Sequence, residues 1–122
     1  MCVVMAKAAL VVLADTETHE DLGRFANALV TAEDFKEAGD EVQVIFDGAG
    51  TKWVAELENP EHKYHDRYEA VKDTVAGACA YCASAFNVKD QIEESDVELL
   101  DEFEHHPSIR RFVAEGYQVL TF

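Results

Sequence analysis

The sequence predicts an α/β fold, a three-layer α/β/α sandwich on a mainly parallel sheet of about five strands. Strand-like and helix-like segments alternate along the chain, and the first is a continuous apolar run of strand length, residues 7–14. The chain has 122 residues, of which 48% are hydrophobic. This length suits one core, so we expect a single domain over 1–122.

The first strand and helix follow from local pattern. Residues 7–14, KAALVVLA, begin with Lys7 and continue as an unbroken apolar stretch typical of a strand buried on both faces. Asp15, Thr16 and Thr18 can then cap a helix that ends at Gly39. Its predicted buried face has helical spacing and comprises Leu22, Phe25, Ala26, Leu29 and Val30.

The middle of the chain repeats the alternation. Residues 41–47, EVQVIFD, are rich in β-branched and aromatic residues and predict the second strand. A turn at 48–50 leads into a short helix around Trp53, which Asn59-Pro60 ends. Apolar residues at helical spacing predict another helix over 63–74.

Residues 75–88, VAGACAYCASAFNV, give conflicting indications. The alanines favour helix, whereas Gly77 opposes it. The alternation of elements instead predicts a short buried strand over 76–80 and a helix from about Cys82. The remaining predicted elements are a brief strand near Val97, Leu99 and Leu100, a helix with Pro107 in its first turn that ends at Gly116, and a last strand over 117–122.

Charge and hydropathy exclude several classes of partner. The chain has 25 acidic and 10 basic residues and a net charge of −15, which disfavours nucleic acid and anionic membrane surfaces. No apolar run is long enough to span a membrane. Residues 1–14 superficially resemble a signal peptide, but Lys7 interrupts them, so we expect a strand there and a cytoplasmic protein.

Three predicted turns meet at one edge of the sheet. Residues 15–19, 47–51 and 79–82 each follow a strand, and parallel strands gather reactive groups at their carboxyl ends. The pair Cys79-x-x-Cys82 is the most suggestive feature of this edge. A helix beginning there would lower the pKa of the first thiol and favour the reactive thiolate.

Other interpretations of the cysteine pair stay open. Two small, buried and unreactive residues would fit the alanine-rich segment. A thioredoxin-type disulfide would need a nearby cis-proline, and neither Pro60 nor Pro107 has an equivalent place. Zinc could use the cysteines with His62-x-x-His65, although the spacing matches no standard zinc finger, so we expect no metal.

Further candidates lie on the same edge. His19 could stabilise a thiolate, or it could simply be exposed in a first helical turn. The turn DGAGTK offers Gly48, Gly50 and Lys52 as contacts for a small anion, without the spacing of a phosphate-binding loop. His105-His106, beside Pro107, is interpreted as a structural loop entering the last helix.

Four segments together resemble the DsrE/DsrF-like family, which includes TusD-type sulfur-relay subunits and YchN-type proteins. They are KAALVVLA, EAGDEVQVIFD, CAYCASAFNV and RRFVAEGYQVLTF, and the resemblance covers nearly the whole chain. Asn87 stands where family members commonly have glycine. Asparagine tolerates left-handed backbone better than most residues, so this departure is mild.

The resemblance implies a site and partners. The sulfur-carrying cysteine of the family corresponds to Cys79, and some YchN-like members have a second cysteine that corresponds to Cys82. It also implies persulfide exchange with donor and acceptor proteins, and trimers or hexamers with the cysteine near a subunit interface. No cofactor is expected.

The resemblance therefore implies a sulfur-relay or sulfurtransferase-like protein that carries persulfide sulfur on Cys79, with Cys82 as a resolving thiol or an aid to thiolate formation. Turnover is left open, because a carrier need not be a catalyst. The alternative is a non-catalytic oligomeric module that binds a small ligand or metal and in which the cysteines are structural.

The acidic composition generates one prediction. Eight acidic residues and no basic residue lie between Asp90 and Glu104, most simply as a solvated face. Our sharper hypothesis is adaptation to high salt, where screening weakens repulsion among these charges. The midpoint of thermal unfolding, followed by circular dichroism, should then rise from dilute buffer to molar KCl. An unchanged or lower midpoint in KCl would contradict the hypothesis.

Overall fold

The computed structural model describes residues 5–122, and Cys2, for which no role is predicted, lies outside them. The strands are β1 (Lys7–Val12), β2 (Glu41–Phe46), β3 (Val75–Cys79), β4 (Leu99–Leu100) and β5 (Gln118–Thr121). The α-helices are α1 (His19–Glu37), α2 (Lys52–Leu57), α3 (His65–Val71), α4 (Ala80–Ala85), α5 (Lys89–Glu94) and α6 (Ile109–Ala114). Short 3₁₀ segments cover Gly48–Thr51 and Lys72–Thr74.

The five strands form one sheet in the order β4-β3-β2-β1-β5, and every neighbouring pair is parallel. The predicted α/β class and parallel sheet are therefore confirmed. β1 and β2 pair in register from Lys7 opposite Glu41 to Val12 opposite Phe46. All five strands consequently end at the same edge, which is the edge that carries the candidate site.

Helices cover the two faces of the sheet unequally. Five helices contribute to the larger core cluster on one face, where α1 supplies Phe25 and Leu29 and α2 supplies Trp53. On the other face, Phe112 of α6 packs over Ala9, Val11 and Ile45. The alternation of β1 side chains between the two clusters explains its continuous apolar sequence, since both faces are buried.

Local sequence closes α1 at both ends. The Thr18 hydroxyl accepts the Asp21 N–H, and the Asp21 carboxylate accepts the Thr18 N–H, which forms a capping box. Gly39 has a φ of 80°, and the next N–H, of Asp40, donates to the Phe35 carbonyl. The predicted start and stop of this helix are therefore confirmed.

Several details differ from the prediction. Val30 is 50% exposed, because the buried stripe of α1 runs along Phe25, Ala28, Leu29 and Ala32 instead. The last helix begins after Ser108, whose hydroxyl accepts the Arg111 N–H, so Pro107 precedes the helix rather than occupying its first turn.

Two boundaries near the cysteines also differ. α4 begins at Ala80, two residues earlier than expected, because Cys79 itself is its N-cap. α5 was not predicted as a separate helix. It is separated from α4 by Asn87, whose φ of 60° interrupts the helical backbone.

The segment after β2 approaches the end of β1 very closely. A Cβ on Gly50 would lie 2.1 Å from the Val12 carbonyl oxygen, so no side chain fits there. Gly48 has a φ of 54°, a left-handed conformation that favours glycine. The backbone path alone thus requires glycine at Gly50 and favours it at Gly48.

Gly50→Ala should lower the free energy of unfolding by at least about 1–3 kcal/mol, because the new methyl group must displace backbone. Gly23→Ala is the matched control. Gly23 is inside α1, and a methyl group added there would have nothing within 4 Å, so alanine should stabilise the helix by up to about 1 kcal/mol. Urea denaturation measures both changes. Equal free energies of unfolding for Gly50→Ala and Gly23→Ala would contradict the close approach of Gly50 to Val12.

Candidate functional site

Four side chains from four segments converge at the carboxyl edge of the sheet. Asp47 follows β2, Cys79 ends β3, Cys82 lies in the first turn of α4, and His106 lies in the loop between β4 and α6. One ligand-type atom from each of them lies within 4.8 Å of all the others. The group therefore brings two thiols, a carboxylate and an imidazole into contact.

The strand-to-helix junction at the cysteines is confirmed. Cys79 is extended, with φ −60° and ψ 121°, and its Sγ accepts the Cys82 N–H at 3.3 Å. Small residues in β3 make this path possible. A Cβ on Gly77 would lie 2.6 Å from the Glu98 carbonyl oxygen, so the chain before β4 packs directly on the β3 backbone.

A tight turn places the imidazole. Phe103 and His106 exchange two backbone hydrogen bonds of 2.8 and 2.9 Å, and both residues between them have positive φ. Those residues are Glu104 and His105, neither of which is glycine, so the turn holds local backbone strain. The Tyr81 N–H donates to the His105 carbonyl at 2.9 Å and ties the turn to α4.

The turn brings His106 against the first cysteine. His106 Nδ1 lies 3.2 Å from Cys79 Sγ, and the Tyr81 ring packs against the imidazole with centroids 4.9 Å apart. The imidazole that contacts the thiol is therefore that of His106, not of His19. His19 is exposed at the first residue of α1 and is not one of the four converging residues.

The electrostatics of Cys79 differ from the sequence-based expectation. Burial raises the pKa of the Cys79 thiol to about 12, opposed by the hydrogen bond from the Cys82 N–H and reinforced by the Cys82 side chain and the Asp47 charge. The predicted lowering of this pKa is wrong, because the side chain is 0% exposed and one N–H does not replace water. Cys82 is also buried, at 9% exposed.

Asp47 supplies the negative charge of the site. Its Oδ1 accepts the Gly48 N–H at 2.8 Å and lies 3.5 Å from Cys82 Sγ. Among residues 5–122, no basic side chain forms a salt bridge with this carboxylate. Within the part of the chain that the structure describes, the thiols therefore face a carboxylate that has no salt-bridge partner.

Lys52 forms ion pairs with other residues at this edge of the sheet. Its Nζ lies 2.7 Å from Asp15 and 2.8 Å from Glu17. These hydrogen bonds raise the pKa of Lys52, and the bond from Lys52 lowers the pKa of Asp15. The ammonium group thus pairs with two carboxylates. The neighbouring Gly50 is required by its close approach to the Val12 carbonyl, and Gly48 is favoured by its left-handed backbone conformation.

The histidine pair considered for zinc does not join the cysteines. His65 Nδ1 lies 2.6 Å from the Leu57 carbonyl, and His62 Nε2 lies 3.7 Å from Glu56. Sequence reasoning treated His106 as part of a structural loop and so missed its contact with Cys79. The available indication was topological, because a loop after a parallel β4 lies at the same edge as the end of β3.

An all-parallel α/β sheet with a thiol pair at the end of one strand defines the class of the molecule. The model of the DsrE/DsrF-like family matches residues 4–122, and the chain belongs to this family. An uncharacterized protein of Methanocaldococcus jannaschii is 33% identical over 94 residues, which cover 77% of this chain and 76% of that protein.

A solved structure has the same fold. It is a conserved protein of unknown function from Bacteroides thetaiotaomicron, similar with a TM-score of 0.63 and 18% identity over 93% of this chain and 94% of that chain. Within residues 5–122, no helix has both the length and the apolar character needed to cross a membrane.

The raised pKa of Cys79 predicts slow alkylation at neutral pH, because the thiolate is the nucleophile and the thiol stays protonated. In a Cys2→Ser/Cys82→Ser protein dialysed against a chelator, the iodoacetamide rate should still rise above pH 9.0, the ordinary pKa of the group. The same protein in urea is the control, and its rate should level off near that value. A plateau below pH 9.0 in the native protein would contradict the effect of burial.

Proposed function

We propose that the protein is a sulfur carrier that holds persulfide sulfur on Cys79 and exchanges it with donor and acceptor proteins. Membership of the DsrE/DsrF-like family supports a sulfur-relay role. The observation that carries the assignment to Cys79 is its 3.2 Å contact with His106 Nδ1 at the end of β3. That contact gives the thiol a neighbouring base.

Sulfur uptake follows from this contact. The Cys79 sulfur attacks the terminal sulfur of a donor persulfide, a new S–S bond forms, and the donor S–S bond breaks. The thiol proton passes to His106 Nδ1, and the donor leaves as a thiolate that takes up a proton. The reactants and the products each include one thiol and one persulfide, so no external oxidant is needed. A base matters here because burial keeps Cys79 protonated.

Cys82 provides a route for release. Its Sγ lies within 4.8 Å of Cys79 Sγ and can attack the inner sulfur of a Cys79 persulfide. A disulfide between the two cysteines then forms, and the outer sulfur leaves as hydrosulfide. The cysteines are oxidised and the carried sulfur is reduced, so electrons balance. Reduction of the disulfide by a cellular dithiol would restore the carrier, which fits a cytoplasmic location.

Access to Cys79 requires movement of its cover. The side chain is fully buried beneath α4 and the His106 turn. Beside that turn is an open depression of about 370 Å³, lined in part by Tyr81, Lys89, Asp101 and His105. We propose that a donor binds there and shifts Glu104 and His105 enough to uncover the Cys79 sulfur, while the His106 imidazole stays beside it. Among the described residues, one backbone hydrogen bond joins this turn to α4, from the Tyr81 N–H to the His105 carbonyl.

Mass spectrometry tests the sulfur assignment directly. In a Cys2→Ser background, reduced protein dialysed against a chelator is incubated with glutathione persulfide and compared with its Cys79→Ser and Cys82→Ser variants. Cys82→Ser should gain and keep the mass of one sulfur atom, whereas the parent should gain it and then convert to the Cys79–Cys82 disulfide, which is two hydrogen atoms lighter than the reduced protein. Cys79→Ser should gain no more than a variant lacking all three cysteines. Equal uptake by Cys82→Ser and Cys79→Ser would contradict the assignment.

We also propose that the protein self-associates through the surface around the site, as a trimer or hexamer. Four large apolar side chains are exposed on elements that carry or adjoin the site: Leu13, Tyr81, Phe86 and Phe103. Phe103 is 68% exposed and pairs through its backbone with His106. Exposed apolar side chains of this size on elements around a site are typical of an interaction surface.

Light scattering coupled to size-exclusion chromatography tests this association. Phe103→Asp should shift the protein towards monomer, because it places a charge in the proposed contact. Val30→Asp is the control, since Val30 is exposed on α1 and lies outside this group. A monomeric wild-type protein, or equal effects of the two variants, would contradict the proposed surface.

A further inference from the structure

We propose that Asp47, Cys79, Cys82 and His106 bind a single Zn²⁺ ion through two thiolates, one imidazole nitrogen and one carboxylate oxygen. This inference goes beyond the proposed sulfur carrier and does not depend on it. The ligand set also differs from the one considered from sequence, because His106 and Asp47 replace His62 and His65.

The geometry fits tetrahedral coordination. Bond lengths to zinc of about 2.3 Å for sulfur and about 2.0–2.1 Å for nitrogen or oxygen place neighbouring ligand atoms roughly 3.3–3.8 Å apart. Cys79 Sγ and His106 Nδ1 are 3.2 Å apart, and Cys82 Sγ and Asp47 Oδ1 are 3.5 Å apart. All four atoms lie within 4.8 Å of one another. Small side-chain adjustments would therefore complete a tetrahedral coordination of the ion.

The charge of the site favours a cation. A carboxylate lies beside two thiols with no salt-bridge partner among the described residues, and the nearby Lys52 is already paired with Asp15 and Glu17. Zinc would compensate this charge and release the two thiol protons on binding. Thiolate and imidazole ligands select zinc over magnesium or calcium, which prefer oxygen.

Contacts behind the ligands hold them in place. The Cys82 N–H donates to Cys79 Sγ, and the Gly48 N–H donates to Asp47 Oδ1. The Tyr81 ring packs on the imidazole of His106. Such contacts orient ligands before metal arrives, and their presence separates this group from an accidental cluster of surface acids.

Zinc and persulfide exclude each other, because both require the Cys79 sulfur. Zinc would therefore hold the protein in a state unable to accept sulfur. The two proposals can fail separately. Sulfur uptake is measured on chelated protein, whereas metal binding is measured without any sulfur donor.

Cobalt titration of the chelated, reduced Cys2→Ser protein tests the site. Co²⁺ alone should produce thiolate-to-cobalt charge-transfer absorption and the strong visible bands of a tetrahedral site. Zn²⁺ should abolish them at one equivalent, and native mass spectrometry should show one bound ion.

Two asparagine variants provide the matched comparison. His106→Asn should weaken zinc binding by about tenfold or more, whereas His105→Asn, at the adjacent exposed position, should bind as the parent does. Cys82→Ser removes a ligand from a different segment, so it tests the site even if His106→Asn fails to fold. Absence of the charge-transfer band, or equal zinc affinity in the parent and Cys82→Ser, would overturn the proposal.

Discussion

The candidate site depends on the parallel pairing of β3 with β2 on one side and β4 on the other. This pairing forces the chain after each of the three strands to the same edge, although Asp47, Cys79 and His106 are far apart in sequence. The close approach of Gly50 to Val12 and of Gly77 to Glu98 lets the backbones pack tightly enough for the side chains to meet. A side chain added at either glycine would have to displace the backbone next to the site.

Burial determines how reactive the Cys79 thiol is at this edge of the sheet. It raises the pKa of Cys79, so the free thiol is protected and depends on a base or a metal ion to become a thiolate. The strained turn before His106 places an imidazole against the sulfur and also covers it. A sulfur carrier with these properties would react only when a partner moves the cover, which limits loss of sulfur to solvent.

Much of the framework could be predicted from sequence, because local patterns determine it. The apolar run of β1, the β-branched residues of β2, Thr18 and Gly39 each specify a nearby structural feature, and the alternation of elements placed Cys79 at a strand end. The role of His106 could not be predicted this way, since it depends on the pairing of the two-residue β4 with β3. The predicted direction of the Cys79 pKa shift was wrong for a related reason. Complete burial depends on packing, which residue types alone do not reveal.

The His106 imidazole contacts the Cys79 thiol, and we propose that it serves as the base for this thiol. Side-chain ¹⁵N NMR of histidine-labelled, metal-free protein tests this contact most directly, because ring nitrogens report hydrogen bonding and tautomer. We expect Cys79→Ser to shift the His106 ring resonances and to leave those of the neighbouring His105 unchanged. Unchanged His106 resonances, or equal shifts at both histidines, would contradict it.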